Sequence, residues 1–540
     1  IVPPQLHPET HFERSTMFRH RRIPQFLAII FSAALLVFLT ACGGGTTNTG
    51  TSAEDEGDPV AGGTLRVIQT GEPRSLDPAA LSNTWAHQPV VGNGLYGTLM
   101  INNIENFTIE YKMATDFSTA DNGQTFNLAL RPGLTFTDGT PLDAAAVKFN
   151  WDRLKDPALG STSIRQAIQV ASTEVIDPTN LTVTLVAPNP HFAESLVAGA
   201  LNWIASPAAL EKGRESFDQN PVGAGPFKLT NWTRQASIDM EKNPGYYDAP
   251  KPYLDKITVQ TVPDSNTRMN AMTTGAADLS SETNQASVNK AQATGLKTEV
   301  VPTGGGQYMG MNERRAPFND QRARQAVAMA VDLQGLNTIV YNGEGNIPET
   351  LFDEQSPFFT DVPFQQPNKE EAQKLFNELA AEGKPVSFTF LSYPTTESRT
   401  LAEGLQTQLR AYDNVDVNIE VVDYGAATAR AGARDFDMII SSAVIQDPDF
   451  PLWTAFHSKS PGNFVGTNDP ELDAALDAGR IEQDMEARKD SYNTVQERLA
   501  EIVPGVWYIR AVPAVVYAQN VSGVDLYTLG SPLPENIWMN

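Results

Sequence analysis

The amino-acid sequence predicts an α/β protein, and three observations lead to this fold class. First, helices and strands alternate through the second half of the chain, a pattern typical of α/β domains. The predicted helices span residues 369–382, 397–412, 471–480 and 486–501, and the predicted strands span 386–390, 415–422 and 437–440. Second, residues 126–154 have the pattern of a hairpin followed by a helix. Third, the chain from Cys42 onward is long enough for two to four domains of about 150 residues each.

The segment 126–154 illustrates how local chemistry sets these elements. Alternating residues predict a strand at 126–130, and a turn and a second short strand at 134–136 follow. Thr140 is expected to cap a helix that has Pro141 at its first position. Downstream, Asn319 or Asp320 is expected to cap a further helix, and 505–509 and 514–517 are strand-like.

Charge and cysteine content exclude some classes of partner and of covalent cross-link. The chain has 39 Lys and Arg against 64 Asp and Glu, which gives a formal net charge of −25. So acidic a chain is repelled by phosphate backbones, and we expect no nucleic-acid partner. Cys42 is the only cysteine, so no disulfide within the chain is expected.

The N-terminal region has the pattern of a secretory signal. Basic residues 19–22 precede an apolar run at 26–39 that is shorter than the roughly 20 residues of a membrane span. We expect Met17 to start the reading frame, residues 1–16 to be a start-site extension, 17–41 to be the signal peptide and 42–61 to be a flexible tether. The sequence LTAC at 39–42 resembles the bacterial lipobox, which implies lipidation of Cys42; an ordinary anchor with an incidental cysteine is the alternative.

Seven motifs, in order along the chain, carry a family resemblance. They are SLDP at 75–78, LRPGLTFTDGTP at 130–141, PVGAGPF at 221–227, NPGYY at 243–247, GAADL at 275–279, YMGMN at 308–312, and PFND with RARQAVAMAVD at 317–332. Together they resemble the family 5 extracytoplasmic solute-binding proteins, which are peptide, oligopeptide and nickel receptors of ABC importers. Ala146 and Ala224 depart from the family pattern, which usually has Asp and Thr there.

The resemblance implies a two-lobed, periplasmic-binding-protein-like α/β fold with mixed sheets and a hinge between the lobes. Lobe I is expected at 62–312, with an extra subdomain inserted at about 96–214. Lobe II is expected at 313–504, and residues 505–540 are expected to return to lobe I. No cofactor is implied.

The function implied is capture of a peptide or peptide-like solute and its delivery to ABC permease subunits by a lipid-anchored, extracytoplasmic monomer. A receptor for a non-peptide solute (an opine, an oligosaccharide or a nickel chelate) and a chemosensory receptor remain alternatives.

Two stretches are candidates for the ligand site. In residues 303–308 the candidates are Gly305, Gln307 and Tyr308, and a plain glycine loop is the competing interpretation. The second stretch is 441–453, and its candidates are Ser442, Ala443, Val444, Asp447 and Trp453. Trp85, outside both stretches, is the remaining candidate.

In peptide-binding members of the family the second stretch has the form W-x-x-D-x-x-D-P, and its first Asp binds the ligand amine. Val444 and Ser441 occupy the Asp and Trp positions here. Asp447 or Asp449 could replace the missing acid, or both could belong to a solvated turn.

Enzyme signatures are weak. The sequence has no G-x-S-x-G, P-loop or H-E-x-x-H motif, and its single S-x-x-K, at 287–290, lacks the companion motifs. His87, His191 and His457 are far apart, so no metal site is expected. A secreted hydrolase is therefore disfavoured.

Overall fold

A computed structural model describes residues 57–84 and 87–540. The predicted signal peptide, Cys42, most of the tether and Trp85 lie outside these residues. Within them, no helix combines the length and the apolar character needed to cross a membrane.

Strands in the described residues are numbered here in chain order. They are β1 Thr64–Gln69, β2 Met100–Asn102, β3 Ile109–Tyr111, β4 Ala114–Ser118, β5 Thr125–Leu130, β6 Val170–Asp177, β7 Asn180–Leu185, β8 Phe227–Thr233, β9 Ser237–Lys242, β10 Lys256–Thr261, β11 Leu279–Glu282, β12 Lys297–Val300, β13 Gly304–Met311, β14 Val386–Ser392, β15 Val415–Val421, β16 Met438–Ile445, β17 Gly505–Ile509, β18 Ala514–Tyr517, β19 Val521–Ser522, β20 Leu526–Tyr527, β21 Ser531–Pro532 and β22 Trp538–Met539.

Helices are numbered in the same way. They are α1 Pro89–Tyr96, α2 Ala144–Leu154, α3 Ile164–Ala167, α4 Phe192–Val197, α5 Pro207–Leu210, α6 Arg214–Gln219, α7 Ser265–Thr273, α8 Gln285–Ala293, α9 Gln321–Ala330, α10 Leu333–Tyr341, α11 Lys369–Ala381, α12 Thr396–Leu409, α13 Tyr424–Ala433, α14 Asp449–Phe456, α15 Pro470–Ile481 and α16 Met485–Ile502. Short 3₁₀ helices lie at Pro78–Ala80, Pro157–Leu159 and Ala200–Asn202.

Two mixed sheets organise the molecule into two lobes. The seven-stranded sheet of lobe I has the order β12-β18-β11-β1-β10-β9-β8, and β1 runs parallel to both β10 and β11. The five-stranded sheet of lobe II has the order β15-β14-β16-β13-β17, in which β14 is parallel to its neighbours and β13 antiparallel to both of its own. The predicted two-lobed α/β class is therefore confirmed.

An antiparallel sheet of order β4-β5-β7-β6 lies inside the segment predicted as an inserted subdomain. Its inward residues Leu128 and Val183 belong to the same hydrophobic core as Leu65 and Val67 of β1. The subdomain therefore packs as part of lobe I. Lobe II has three further cores in the described residues. One contains Met309 and the helices α9, α11 and α12, and the second contains the neighbouring Tyr308 and the helices α14 to α16. The third is small and contains Leu391 and Ile439.

The chain crosses between the lobes at two places that differ from the predicted boundaries. Strand β13 at Gly304–Met311 pairs with β16 of lobe II, so the first crossing lies at 301–303 and not at 312. Strand β17 at Gly505–Ile509 also pairs within lobe II, and only β18 belongs to the sheet of lobe I. The return therefore begins after 509 and not at 505. Hydrophobic pattern alone does not reveal which sheet a strand joins, because pairing is non-local.

The segment 126–154 is partly as expected. Strand β5 and the buried helix positions Val147, Trp151 and Leu154 are confirmed. Residues 134–136 form only an isolated bridge, between Thr135 and Pro141. Helix α2 begins later than predicted because Asp143, and not Thr140, caps it by accepting a 2.9 Å hydrogen bond from the Ala146 amide.

Candidate functional site

The two crossing segments run side by side between the lobes. The Val301 amide donates to the Pro513 carbonyl at 2.9 Å, and Thr303 Oγ1 donates to the Ala511 carbonyl at 2.8 Å. The Arg510 guanidinium also donates to the Thr303 carbonyl at 2.9 Å. A paired connection of this kind holds the lobes at one edge and leaves the rest of their facing surfaces free to separate.

A cleft between the lobes follows strand β16. It consists of three adjoining cavities of about 460, 320 and 680 Å³, and Ser442 lines all three. Side chains of lobe I and lobe II face each other across it, among them Arg165 and Glu194 from lobe I and Gln307 and Glu397 from lobe II. A concave site with apolar walls and a few polar groups is typical of small-molecule binding.

Several predicted site residues are on the wall of this cleft. Gln307, Ser442 and Val444 lie at the cavity surface, and Tyr508 donates a hydrogen bond to Gln307 Oε1. Ala443 also lines one cavity, although it is buried. Alternation along β16 explains this arrangement, since successive side chains of a strand point to opposite faces.

Gly305 and Tyr308 have structural roles. A Cβ at Gly305, whose φ is +63°, would lie 2.0 Å from the Ala443 carbonyl oxygen, so glycine is needed for β13 to pair with β16. The Tyr308 ring is 98% buried and packs 4.6 Å from the ring of Trp507, although its edge reaches the cleft. The glycine-loop interpretation of 303–308 therefore accounts for its glycines, while Gln307 supplies the polar wall.

Neither Asp447 nor Asp449 is in a solvated turn, so that expectation is wrong. The guanidinium of Arg488 donates to both Asp447 oxygens, at 2.7 and 3.0 Å. Asp449 is buried and accepts from Arg480 Nε at 2.7 Å. Burial opposes ionisation of Asp447, but the charge of Arg488 outweighs it and lowers the pKa of that carboxyl. Both carboxylates are thus already neutralised by arginines.

Trp453 lies apart from the main cleft. Its ring stacks on His457 at 4.6 Å, and the Arg480 guanidinium lies 4.4 Å from its centre. It lines a cavity of about 260 Å³ that shares Arg165 with the cleft. The predicted site is therefore divided between two cavities.

Sequence reasoning missed the residues that lobe I contributes. Arg165 and Glu194 come from the inserted subdomain, on short helices α3 and α4 that carry no recognisable motif. Burial, with a contribution from the charge of Asp447, holds the pKa of Glu194 well above its usual range. Burial, together with the charge of Arg488, lowers the pKa of His191, which favours a neutral ring.

Hydrogen bonds link the lobes around this cleft. They join Asn189 Nδ2 to Asp449 Oδ2 at 2.8 Å, His191 Nε2 to the Glu482 carbonyl at 2.6 Å, Gln483 Nε2 to Asn122 Oδ1 at 2.6 Å and Asn102 Nδ2 to Gln446 Oε1 at 3.3 Å. The lobes are therefore in contact with each other around the cleft.

Comparisons with known proteins agree with this geometry. The model of bacterial extracellular solute-binding proteins, family 5, matches residues 108–463. The glutathione-binding protein GsiB of Shigella boydii serotype 4 is 30% identical over 331 residues, which are 60% of this chain and 63% of that protein. The alignment thus spans less than two thirds of this relative's length.

Two solved structures share the fold. The periplasmic binding protein DppA from Helicobacter pylori, in complex with the peptide STSA, has a TM-score of 0.74 at 23% identity over 89% of this chain and 98% of its own. The binding protein AgaA from A. tumefaciens R10, in complex with agropinic acid, has a TM-score of 0.73 at 24% identity over 88% of this chain and 99% of its own. Family members are solute-binding proteins, not enzymes. This chain belongs to the family 5 bacterial extracellular solute-binding proteins.

Proposed function

We propose that this protein is the extracytoplasmic receptor of an ABC importer and captures a peptide or peptide-like solute between its lobes. The observation that carries the proposal is the cleft along β16, whose polar groups come from both lobes. A ligand held by both walls binds the closed arrangement better than an open one. Such differential affinity is the only way in which a ligand shifts a conformational equilibrium.

Delivery follows from the same two states. The crossing segments 301–303 and 510–513 act as the hinge, and the permease recognises the closed form. Binding requires no covalent chemistry, because the ligand's affinity arises from burial and from a few fixed polar contacts.

A thermal-shift and calorimetric screen tests the proposal. The panel contains tri-alanine and other short peptides, glutathione, opines, oligosaccharides and nickel chelates. A solute at 100 times its dissociation constant stabilises the native state by about 2.7 kcal/mol. With about 2.1 cal/mol/K of unfolding entropy per residue and about 480 folded residues, that corresponds to a rise in Tm of roughly 3 °C. If no class of solute raises Tm, the proposal is contradicted.

An opine is the second candidate ligand. Val444 stands where peptide-binding members of the family have the amine-binding acid, and AgaA was solved with agropinic acid. The screen separates the two, because a peptide receptor responds to tri-alanine and an opine receptor does not.

We further propose that the protein is a monomer anchored by a lipid on Cys42. Anchoring raises the local concentration of the receptor at the membrane that carries its permease. Cys42→Ala is expected to release the protein from membranes or leave it unprocessed, with ligand affinity unchanged. Retention of a processed Cys42→Ala protein in washed membranes would refute the anchor, and a dimer mass by light scattering would refute the monomer.

A further inference from the structure

One carboxylate in the cleft has no cationic partner. Glu194 lines the same cavity as Val444 but projects from the opposite lobe, on α4. Its carboxylate accepts a hydrogen bond from Asn102 Nδ2 at 2.7 Å. Within residues 57–84 and 87–540, no Lys, Arg or His nitrogen lies within 4.0 Å of it, although many other acids of the chain have such a partner.

Two arginines near this carboxylate already have carboxylate partners, and Arg165, which lines the same cavity, forms no ion pair with Glu194 within 4.0 Å. Arg488 is paired with Asp447, and Arg480 with Asp449. The negative charge of Asp447 acts on Glu194 as well, and burial together with this charge raises the pKa of Glu194. A positive charge placed in the cavity would lower the pKa of Glu194 again, because an opposite charge favours the ionised carboxylate.

Two unpartnered polar atoms lie beside it in the same cavity. Gln446 Nε2 and Ser195 Oγ are buried and have no hydrogen-bond partner, and the Ser195 residue is only 5% exposed. Asn102 Nδ2 contacts both Glu194 and Gln446 Oε1, so the two side chains meet at one nitrogen. Buried polar atoms without a partner are uncommon in folded proteins, and at a binding site they indicate a missing ligand group.

The chemistry of these atoms indicates what they bind. The carboxylate offers an acceptor without a cation, and the Gln446 amide offers a donor without an acceptor. An ammonium group next to a carbonyl, as in the free amino end of a peptide, satisfies both at once. The Ser195 hydroxyl can donate or accept, so it fits either neighbour.

We propose that Glu194 binds the ammonium group of the solute and that Gln446 donates to the carbonyl beside it. The inference rests on the proposed function, because it names the subsite that orients a peptide-like ligand in the cleft. Glu194 belongs to lobe I and Gln446 to lobe II. One ligand end therefore bridges the lobes and stabilises their closure.

The test uses calorimetry with two probes on the full chain, tri-alanine and N-acetyl-tri-alanine, which lacks the ammonium group. The variant is Glu194→Gln. The matched control is Glu174→Gln, the same change at an exposed position on β6 of the same subdomain. Thermal melts of both variants without ligand check that each is folded.

The wild type is expected to prefer tri-alanine, and Glu194→Gln to lose about 10- to 150-fold of that affinity, as expected for one hydrogen bond to a charged group. Binding of N-acetyl-tri-alanine should not change in Glu194→Gln, and Glu174→Gln should match the wild type with both probes. The proposal is overturned if Glu194→Gln binds tri-alanine as the wild type does, or if acetylation costs no affinity.

The wider screen separates this subsite from the receptor function. If the wild type binds a solute without an amino group and no solute with one, the subsite is wrong and the receptor function stands. If it binds no solute class at all, the receptor function fails, and the subsite fails with it.

Discussion

Asn189 joins the lobes directly, and its removal measures what that contact contributes to closure. Its Nδ2 donates at 2.8 Å to Asp449 Oδ2, and Asp449 is 97% buried on the other lobe. When the lobes separate, both groups return to water. The hydrogen bond therefore stabilises only the closed state, and Asn189→Ala shifts the equilibrium toward the open state.

The expected magnitude follows from the type of bond. A hydrogen bond to a charged group contributes about 1.5–3 kcal/mol. Each 1.4 kcal/mol is about tenfold in an equilibrium constant. Asn189→Ala should therefore weaken binding of the tightest solute of the screen by up to about 150-fold, and by less the more the free protein is already closed, since apparent affinity falls with the fraction of the binding-competent state.

Calorimetry gives the affinity, and small-angle scattering of the free protein gives the radius of gyration, which should increase as the open state gains population. Asn180→Ala is the matched control, because Asn180 Nδ2 donates to Asp177 Oδ2 at the same 2.8 Å within lobe I. This control should leave both quantities unchanged. Binding by Asn189→Ala within twofold of the wild type would refute the reasoning.

A second variant separates the two roles of Asn189. Its Oδ1 also accepts from the His191 amide at 2.9 Å, a local turn that Asn189→Ala removes as well. Asn189→Asp keeps this acceptor but places a negative charge against Asp449. If the contact between the lobes, and not the local turn, determines the affinity, Asn189→Asp should bind at least as weakly as Asn189→Ala.

Three further predictions concern the cleft's pH response, the core and the sheet of lobe II. Binding of tri-alanine should strengthen as pH rises through the raised pKa of free Glu194, because the free protein holds a proton there that the ammonium displaces. Calorimetry at several pH values measures this dependence. Because Asp447, Arg488 and His191 face the same region, the pH dependence of the affinity must disappear in Glu194→Gln if it is due to Glu194. Glu282→Ala should lower the free energy of unfolding in urea by about 3–5 kcal/mol, because it leaves Arg268 buried without its partner at 2.7 Å. The control Glu371→Ala breaks the exposed pair with Lys374 and should lower it by less than about 1 kcal/mol. Equal losses in the two variants would contradict the importance of burial. Gly305→Ala should prevent normal pairing of β13 with β16. Gly343 is also at positive φ but has no atom within 4 Å of the position that a Cβ would take, so Gly343→Ala should lower the free energy of unfolding by only about 1–2 kcal/mol. Similar free energies of unfolding for the two variants would show that the close approach at Gly305 is unimportant.

Helices and strands of lobe II were predictable because their signals are local. The predicted helix 369–382 is observed at Lys369–Ala381, and the predicted strand 386–390 begins at Val386. Periodicity and capping act over a few residues, so one sequence suffices to find them. The predicted strand at 437–440 was too short, since β16 continues to Ile445. Its polar residues at 441–442 hid the continuation, because they line a cleft where a buried strand would carry apolar residues.

The site was predictable only on one side. Strand β16 and Gln307 were found from their place in a family motif and beside a glycine run. The ion pair of Asp447 with Arg488 joins residues 41 positions apart, and no local pattern indicates such a pairing. For the same reason Asp447 was open to two interpretations, and both assumed that its carboxylate had no partner.

The sequence by itself determined the fold class, the family and one wall of the cleft between the lobes, because periodicity, turn chemistry and ordered motifs are properties of contiguous residues. Tertiary structure decided which strands joined which sheet, where the chain crosses between lobes and which charges were left without a partner. Glu194 shows the reason most clearly. Nothing near it in the chain distinguishes it from an ordinary helix residue, and it becomes a candidate anchor only because folding brings it to face β16 in a cavity where Arg488 is already paired with Asp447.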